Sequence, residues 1–336
     1  MFNQFLRAAA VTLTLSSTSV SAANILFTGG TIIAFNRNSQ SLEVIRNGSL
    51  LVQGDRIATI FPTGNVSSSV PTDIETIDCA GQIIAPGMID THRHGWMTAM
   101  KTLASNTTLA EYFVKFLAPP MYTADDVYIG QLAGLYEALD AGVTTTLDHA
   151  HSTWSDEVSP VGLQASVDSG ARVFWAYGFR NLPDYRVNNQ LPIFEQLVKN
   201  AVYEGSATSL AVAWDSFGDP SVLNDTKAVI EIIRRHNISV LTTHTLEGPW
   251  GVTNSPKDLF DLGLLDTGIA VVFSHASFLT YQDASLLRQT NQYISITVES
   301  EMHYGHTDPV SHLVMDQASL GIDTHFTFST DILTQA

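Results

Sequence analysis

The residues best suited to chemistry in this sequence are its histidines, of which there are eleven in 336 residues. His92 and His94 stand one residue apart, just past the apolar stretch Ile83-Ile84-Ala85-Pro86-Gly87-Met88-Ile89-Asp90. Side chains alternate along a β-strand, so two residues spaced in this way face the same side. Two imidazoles aimed together supply half of a tetrahedral metal site. A lone His-x-His pair also occurs for structural reasons, so its weight depends on what else reaches the same place. Several other polar residues each follow a short apolar run: His149 and His151 after Gly142 to Asp148, His244 after Ile238 to Thr242, His275 after Ile269 to Phe273, and Asp331 after Thr324 to Phe328.

Those runs are the strands that must position the polar groups. Residues 24 to about 85 read as strands and turns, including a turn at Gly54-Asp55, and predict a small antiparallel sheet unit. From Ile83 on, buried-type strands alternate with helical segments. Asp125 to Ala141 is helical, with Val127, Ile129, Leu132, Leu135 and Leu139 on its apolar positions. Further strands are predicted at Arg172 to Tyr177, Ser209 to Trp214 and Tyr293 to Thr297. Strand–helix alternation of this length implies a parallel sheet, and about eight strands imply a β/α barrel. In such a barrel the catalytic groups sit at the C-terminal ends of the strands, where these polar residues fall. A domain order follows: a leader over 1–22, a small β-sandwich portion over 23–85 and a barrel over 86–336.

Asp90-Thr91-His92-Arg93-His94, preceded by Pro86-Gly87-Met88-Ile89, closely resembles the opening motif of the amidohydrolase superfamily. His244-Thr245-Leu246-Glu247 resembles the His-x-x-Glu of its cytosine deaminase and atrazine chlorohydrolase branch. Ser274-His275-Ala276 and Ser329-Thr330-Asp331 resemble the segments carrying the next functional His and the strand-eight Asp. The resemblance implies a (β/α)8 barrel flanked by a β-sandwich. It also implies that His92, His94, His244 and Asp331 coordinate an ion, with Asp331 taking a proton from the attacking water. By the same resemblance, Glu247 shuttles protons and His275 hydrogen-bonds the attacked group. A bound divalent ion brings the pKa of water down to about 7, so the implied chemistry is hydrolysis of a carbon–nitrogen bond other than a peptide bond. The substrate would be a small cyclic or heteroaromatic molecule. Binuclear branches use a Lys or Glu from a middle strand, and Leu210 to Trp214 holds no Lys, which favours one ion. Zinc is the default for such ligands, and iron fits them too.

Around that centre, His149 and His151 are weighed as substrate contacts or as rim packing. Trp96 could stack on a flat substrate ring or simply fill the core. His303 and His306 flank Tyr304-Gly305; one could line a pocket, although loop solvation is the simpler reading. His312 and His325 read as structural. Relatives implied by the resemblance continue well past the strand-eight Asp, whereas this chain ends five residues after Asp331. The last helix and return strands are therefore expected to be missing. That leaves a truncated, weakly active or inactive protein as the alternative to an enzyme, and a binding protein without turnover as a third reading.

The formal net charge of −17 opposes binding to nucleic acid. No internal apolar run is long enough to span a bilayer, so the expected partner is a small molecule; a homo-oligomer is compatible with the chain. Met1 to Arg7 carries a positive charge, Ala8 to Leu15 is apolar, and Val20 and Ala22 suit a cleavage site, which together read as a signal peptide. Five N-x-S/T sequons, at Asn47, Asn65, Asn106, Asn224 and Asn237, fit a secreted glycoprotein. The single Cys79 cannot form an internal disulfide and most simply packs.

Overall fold

The computed structural model describes residues 24–62, 70–71, 74–117, 121–251, 254–306, 311–324 and 329–336. The predicted leader, Asn65 and His325 lie outside them. The chain divides into two compact units, one up to Pro86 and one from Gly87 onward. No helix among the described residues is long and apolar enough to cross a membrane.

The first unit is one five-stranded sheet built from β1 (Ile25–Asn36), β2 (Ser41–Gln53), β3 (Arg56–Phe61), β4 (Glu75–Asp78) and β5 (Ile83–Ile84). The order is β3-β2-β1-β4, with β5 also pairing with β1. The sheet is mixed rather than antiparallel throughout. β1 pairs antiparallel with β2 but parallel with β4 and β5. The β2–β3 hairpin was legible from its turn at Gly54-Asp55; the later strands return along β1 in its own direction, which alternation alone does not reveal.

The second unit is the barrel. Its strands are β6 (Met88–Arg93), β7 (Val143–Ala150), β8 (Arg172–Phe179), β9 (Ser209–Trp214), β10 (Val240–Leu246), β11 (Ala270–Ser277), β12 (Tyr293–Ile296) and β13 (Ala318–Leu320). All neighbours are parallel and lie in sequence order from β6 to β13. Between them run α1 (Leu109–Lys115), α2 (Ala124–Asp140), α3 (Val161–Asp168), α4 (Val187–Asn200), α5 (Leu223–Arg235), α6 (Pro256–Asp261), α7 (Tyr281–Thr290) and α8 (Val298–Tyr304), with α9 (Ile332–Gln335) last. A buried cluster between strands and helices, with Trp175, Tyr177, Phe194, Val212, Ile233 and Phe273 among its members, forms the main core. The lumen is filled by smaller groups, Leu147, Ala176, Ala211 and Ala213.

The helices start where the sequence supplies caps. Thr123 accepts from the Asp126 amide while Asp126 bonds back to the Thr123 backbone, opening α2, and Thr280 and Asp283 do the same for α7. α2 lies close against a 3-10 turn at Gly95–Met100, immediately after the His pair. A side-chain carbon at Gly130 would sit 2.1 Å from the Trp96 carbonyl, so only glycine allows that approach.

The strand expected at Thr324 to Phe328 lies outside the described residues after Thr324; the eighth strand of the sheet is the short run β13, Ala318–Leu320. The seam between β6 and the end of β13 is closed by side chains together with backbone bonds just past β13. The Thr91 hydroxyl bonds to Ser295 at 2.7 Å and Ser319 at 2.8 Å, and reaches the Leu320 carbonyl at 2.9 Å. Asp90 Oδ1 accepts from the amides of His92 and Ile322 at 3.3 and 3.2 Å. The Ile322 and Asp323 amides both donate to the His92 carbonyl, and the His94 amide donates to the Asp323 carbonyl. Gly321 makes this crossing sterically feasible, since a side-chain carbon there would lie 2.8 Å from the His92 nitrogen.

Candidate metal centre and active site

Four groups converge at the C-terminal mouth of the barrel. His92 and His94 come from the end of β6, His244 from the end of β10 and Asp323 from just past β13. His94 Nε2 lies 3.2 Å from His244 Nε2. Asp323 Oδ1 lies 3.4 Å from His92 Nε2 and 3.1 Å from His94 Nε2. His92, His94 and Asp323 are all buried.

Each imidazole is anchored through its other nitrogen. His94 Nδ1 is 2.8 Å from the His149 carbonyl, which can only accept, so Nδ1 carries the proton. His244 Nδ1 donates to Asp215 Oδ2 at 2.9 Å. His92 Nδ1 pairs with the Ser274 hydroxyl at 2.7 Å. The free lone pairs of His94 and His244 are therefore on Nε2, and the Nε2 atoms of all three rings come together. His92 Nε2 is fully buried and makes no hydrogen bond among the described residues. Lone pairs packed against each other and against a carboxylate are a costly arrangement without a cation between them. The donor set, three imidazoles and one carboxylate with their backs hydrogen-bonded, fits a zinc-type divalent ion.

The sequence reading placed Asp331 in this set, and the structure corrects it. Asp331 caps α9, accepting from the Leu333 amide at 2.9 Å, and does not line the cavity. Asp323 takes the position instead, because the strand it follows is β13. Two Asp residues follow apolar stretches near the end of the chain, and the strand that pairs with β12 is the one before Asp323.

Asp323 is further fixed by the Ser300 hydroxyl, which donates to Oδ2. Burial opposes its ionisation, but its pairing with His92 and His94 outweighs burial and holds the carboxyl well below the usual range. Burial keeps His92 well below the ordinary histidine range, as a neutral ligand requires. Burial also lowers His244, but the Asp215 carboxylate more than compensates and raises it. Asp215 itself stays ionised against its burial because His244 and His149 face it.

His275 reaches the same mouth by an irregular backbone. The pairing of β10 with β11 slips between Thr245/His275 and Leu246/Ser277. His275 and Ala276 both adopt left-handed φ values, 69° and 54°. Such strain in non-glycine residues is costly and concentrates at functional sites. The ring is held from behind by the Thr297 hydroxyl, 2.9 Å from Nδ1.

The cavity over these ligands has a volume of about 300 Å3. His149 and His151 both line it. His149 Nε2 lies 3.3 Å from Asp215, and burial lowers its pKa to about 4. His151 stacks on His94 with ring centroids 4.1 Å apart. Trp96 does not line the cavity. It is buried in a core cluster with Met97 and Met100, and its Nε1 donates to His151 Nδ1 at 3.0 Å. It therefore orients a cavity residue and has no face open to a substrate. Glu247 does not line the cavity either. It is half-buried, and desolvation, with the Asp283 and Asp258 carboxylates nearby, raises its pKa to about 7.

Asp215 and Arg180 line the cavity without having been assigned in the sequence, and His306, for which loop solvation was the simpler reading, lines it too. Asp215 and Arg180 are each the first residue past a barrel strand, the rule that had found the histidines. Arg180 Nη1 donates to the His151 carbonyl at 3.0 Å. The far wall is apolar, with Leu109, Phe113, Leu117 and Phe179.

Two outcomes follow from this geometry. Purified Asp323→Ala and His92→Ala proteins should lose bound zinc in metal analysis after dialysis, whereas Asp331→Ala should keep one equivalent. Zinc retained by Asp323→Ala and lost by Asp331→Ala would reverse the assignment. The second outcome concerns pH. Burial lowers His306 to about 3, below its ordinary 6.5. As the pH falls below 6.5 the unfolded chain gains a proton that the folded chain refuses, so stability is lost over the window from 6.5 toward 3. His306→Phe removes that loss. Urea midpoints at about pH 7.5 and about pH 5 should fall further for the wild type than for the variant, and equal falls would contradict the burial argument.

Known proteins similar to this chain include deaminases. Among curated proteins, the chain is 26% identical to a 5'-deoxyadenosine deaminase of Methanobrevibacter smithii over 295 residues, which is 82% of this chain and 63% of that protein. It is 26% identical over 304 residues to a 5-methylthioadenosine/S-adenosylhomocysteine deaminase of Desulfitobacterium hafniense, covering 85% of this chain and 66% of that one. The chain thus spans just under two thirds of the length of these relatives. Among solved structures, guanine deaminase from C. acetobutylicum with bound guanine shares the fold with a TM-score of 0.77 at 15% identity, covering 93% of this chain and 78% of that one. Atrazine chlorohydrolase from Arthrobacter aurescens complexed with zinc does so with a TM-score of 0.76 at 18% identity, covering 92% and 74%. The model of the amidohydrolase family matches residues 83–331, from just before the His pair to beyond Asp323, and the chain belongs to that family.

Proposed function

We propose that this protein is a metal-dependent deaminase that removes the amine from a heteroaromatic ring of the aminopurine nucleoside class. The observation that carries the reading is the convergence of three anchored imidazoles and Asp323 on one buried point beneath a largely aromatic and apolar cavity. The deaminase relatives support the choice of an aminated ring over an amide. A cavity of about 300 Å3 fits a flat base.

One divalent ion held by His92, His94, His244 and Asp323 would supply Lewis-acid activation of water near neutral pH. Zinc matches the donors, as does iron. Asp323, held ionised, is placed to accept the proton released on attack. His275, with Nδ1 fixed by Thr297, presents its remaining nitrogen to the attacked carbon's substituents. We assign proton delivery to the leaving amine to Glu247, whose carboxyl is raised to about 7 and so is half protonated at working pH. That role requires the residue to turn from Asp258 and Asp283 toward the ring, and it is supported by its place three residues past a ligand.

Ammonia release from 5'-deoxyadenosine and methylthioadenosine tests the reading, with the zinc-loaded protein expected to turn over at least one. No release from either, at full zinc occupancy, would refute it. Glu247→Gln should lower kcat by about 100-fold or more while retaining zinc; an unchanged kcat would move proton delivery elsewhere.

We further propose that the protein is exported. The charged and apolar start of the chain supports this, and Asn47, Asn106, Asn224 and Asn237 are exposed positions. Expression in a secreting eukaryotic host should yield protein in the medium that lacks the leader and loses mass on enzymatic deglycosylation. Retention in the cell with an intact leader would count against it.

A further inference from the structure

α8 ends at Gly305, whose φ of 71° turns the chain sharply. The next residue, His306, donates its amide to the Glu301 carbonyl at 2.8 Å and brings its side chain into the cavity wall. The ring is held on three sides by aromatic groups. It meets His275 edge to face, centroids 5.0 Å apart and planes at 87°. Trp250 and Tyr304 lie at 5.5 and 6.3 Å. The residue is 8% exposed, and neither ring nitrogen has a hydrogen-bond partner among the described residues.

That combination is unusual. A buried polar group without a partner costs about 1–3 kcal/mol. A packing role does not explain it, because a phenyl ring would fill the space without the penalty. Among the described residues, His306 belongs to none of the His and Asp groups close enough to share an ion, which argues against a role as metal ligand. A partner that arrives with the substrate would satisfy the ring. A neutral imidazole offers one N–H donor and one lone pair, and the aromatic frame fixes their directions in advance.

We propose that His306 is a specificity-determining residue that hydrogen-bonds a ring heteroatom of the bound heteroaromatic substrate. The proposal rests on the aminopurine reading above. It predicts that the site distinguishes one ring nitrogen from the others, a distinction that apolar walls cannot make. Substrates lacking the matching heteroatom leave both partners unpaired and are rejected.

Binding of purine riboside, which has no amine to lose, gives a readout independent of turnover. Calorimetric titrations of the zinc-loaded protein would use purine riboside and its 1-deaza, 3-deaza and 7-deaza analogues, each with one ring nitrogen replaced by C–H. The wild type should bind one analogue about 10-fold or more weakly than the parent. His306→Phe should bind the parent about 10-fold or more weakly and treat that analogue and the parent alike. His306→Gln, which keeps a donor and an acceptor, should recover part of the discrimination. If His306→Phe binds the parent as the wild type does, or weakens on every analogue with the discrimination intact, the proposal is overturned. If the wild type binds none of the four, the aminopurine reading itself falls and takes this role with it. Strong wild-type binding that residue 306 does not affect overturns the His306 role alone.

Discussion

The structure depends on the seam where the first and last barrel strands meet. The ligands of the proposed ion come from both sides of it: His92 and His94 from β6 and Asp323 from the turn after β13. Their spacing is set by backbone hydrogen bonds across the seam, from Ile322 and Asp323 to the His92 carbonyl and from His94 to the Asp323 carbonyl. Asp90 and Thr91, between the motif's apolar lead-in and its histidines, bond to the far strand rather than to the site. Burial raises Asp90 to about 7 despite the Arg93 guanidinium beside it, so this seam carboxyl is expensive to ionise and is kept for its position. Arg93, fully buried, reaches the Gly134 carbonyl at 2.7 Å and Thr330 at 3.2 Å, tying the same strand to α2 and to the chain beyond Asp323.

From that seam the site is built in layers. The Nε2 atoms face inward because the Nδ1 atoms are engaged behind them by a carbonyl, a carboxylate and a hydroxyl. Each anchor comes from a different strand: His149 on β7, Asp215 after β9 and Ser274 on β11. The imidazoles are therefore oriented by the barrel as a whole. This divides the labour among cavity residues. Asp215 and Trp96 position other side chains, whereas His275 and His306 face the space where a substrate would lie.

The division also explains a mismatch in polarity. The floor of the cavity is dense with imidazoles, and the outer wall, from α1 and the end of β8, is apolar. Burial drives His149 and His306 toward their neutral forms, so the floor presents lone pairs and N–H donors rather than positive charge. Such a surface suits a flat, neutral, nitrogen-rich ring, which needs directional hydrogen bonds on one edge and apolar contact on its faces.

Much of this was legible in the sequence. Period-two alternation sent His92 and His94 to the same side, and the position of a residue just past a strand marked His149, His151, His244 and His275 for the mouth of the barrel. The same rule, applied without knowing which strand was last, selected Asp331 over Asp323. Local alternation is stronger in the sequence of 324–328 than in the short run before Gly321, which pairs with β12. Pairing is decided by which segment can cross to β6, and only the folded seam, with Gly321 at its closest approach, makes that choice. The sequence likewise could not separate Trp96 as a prop from Trp96 as a platform, or His306 as a solvated loop residue from a buried one, because both depend on what packs against them. The sequence by itself determined the barrel and the strand-end histidines; the tertiary structure decided which carboxylate joins them and which histidine stays buried without a partner among the described residues.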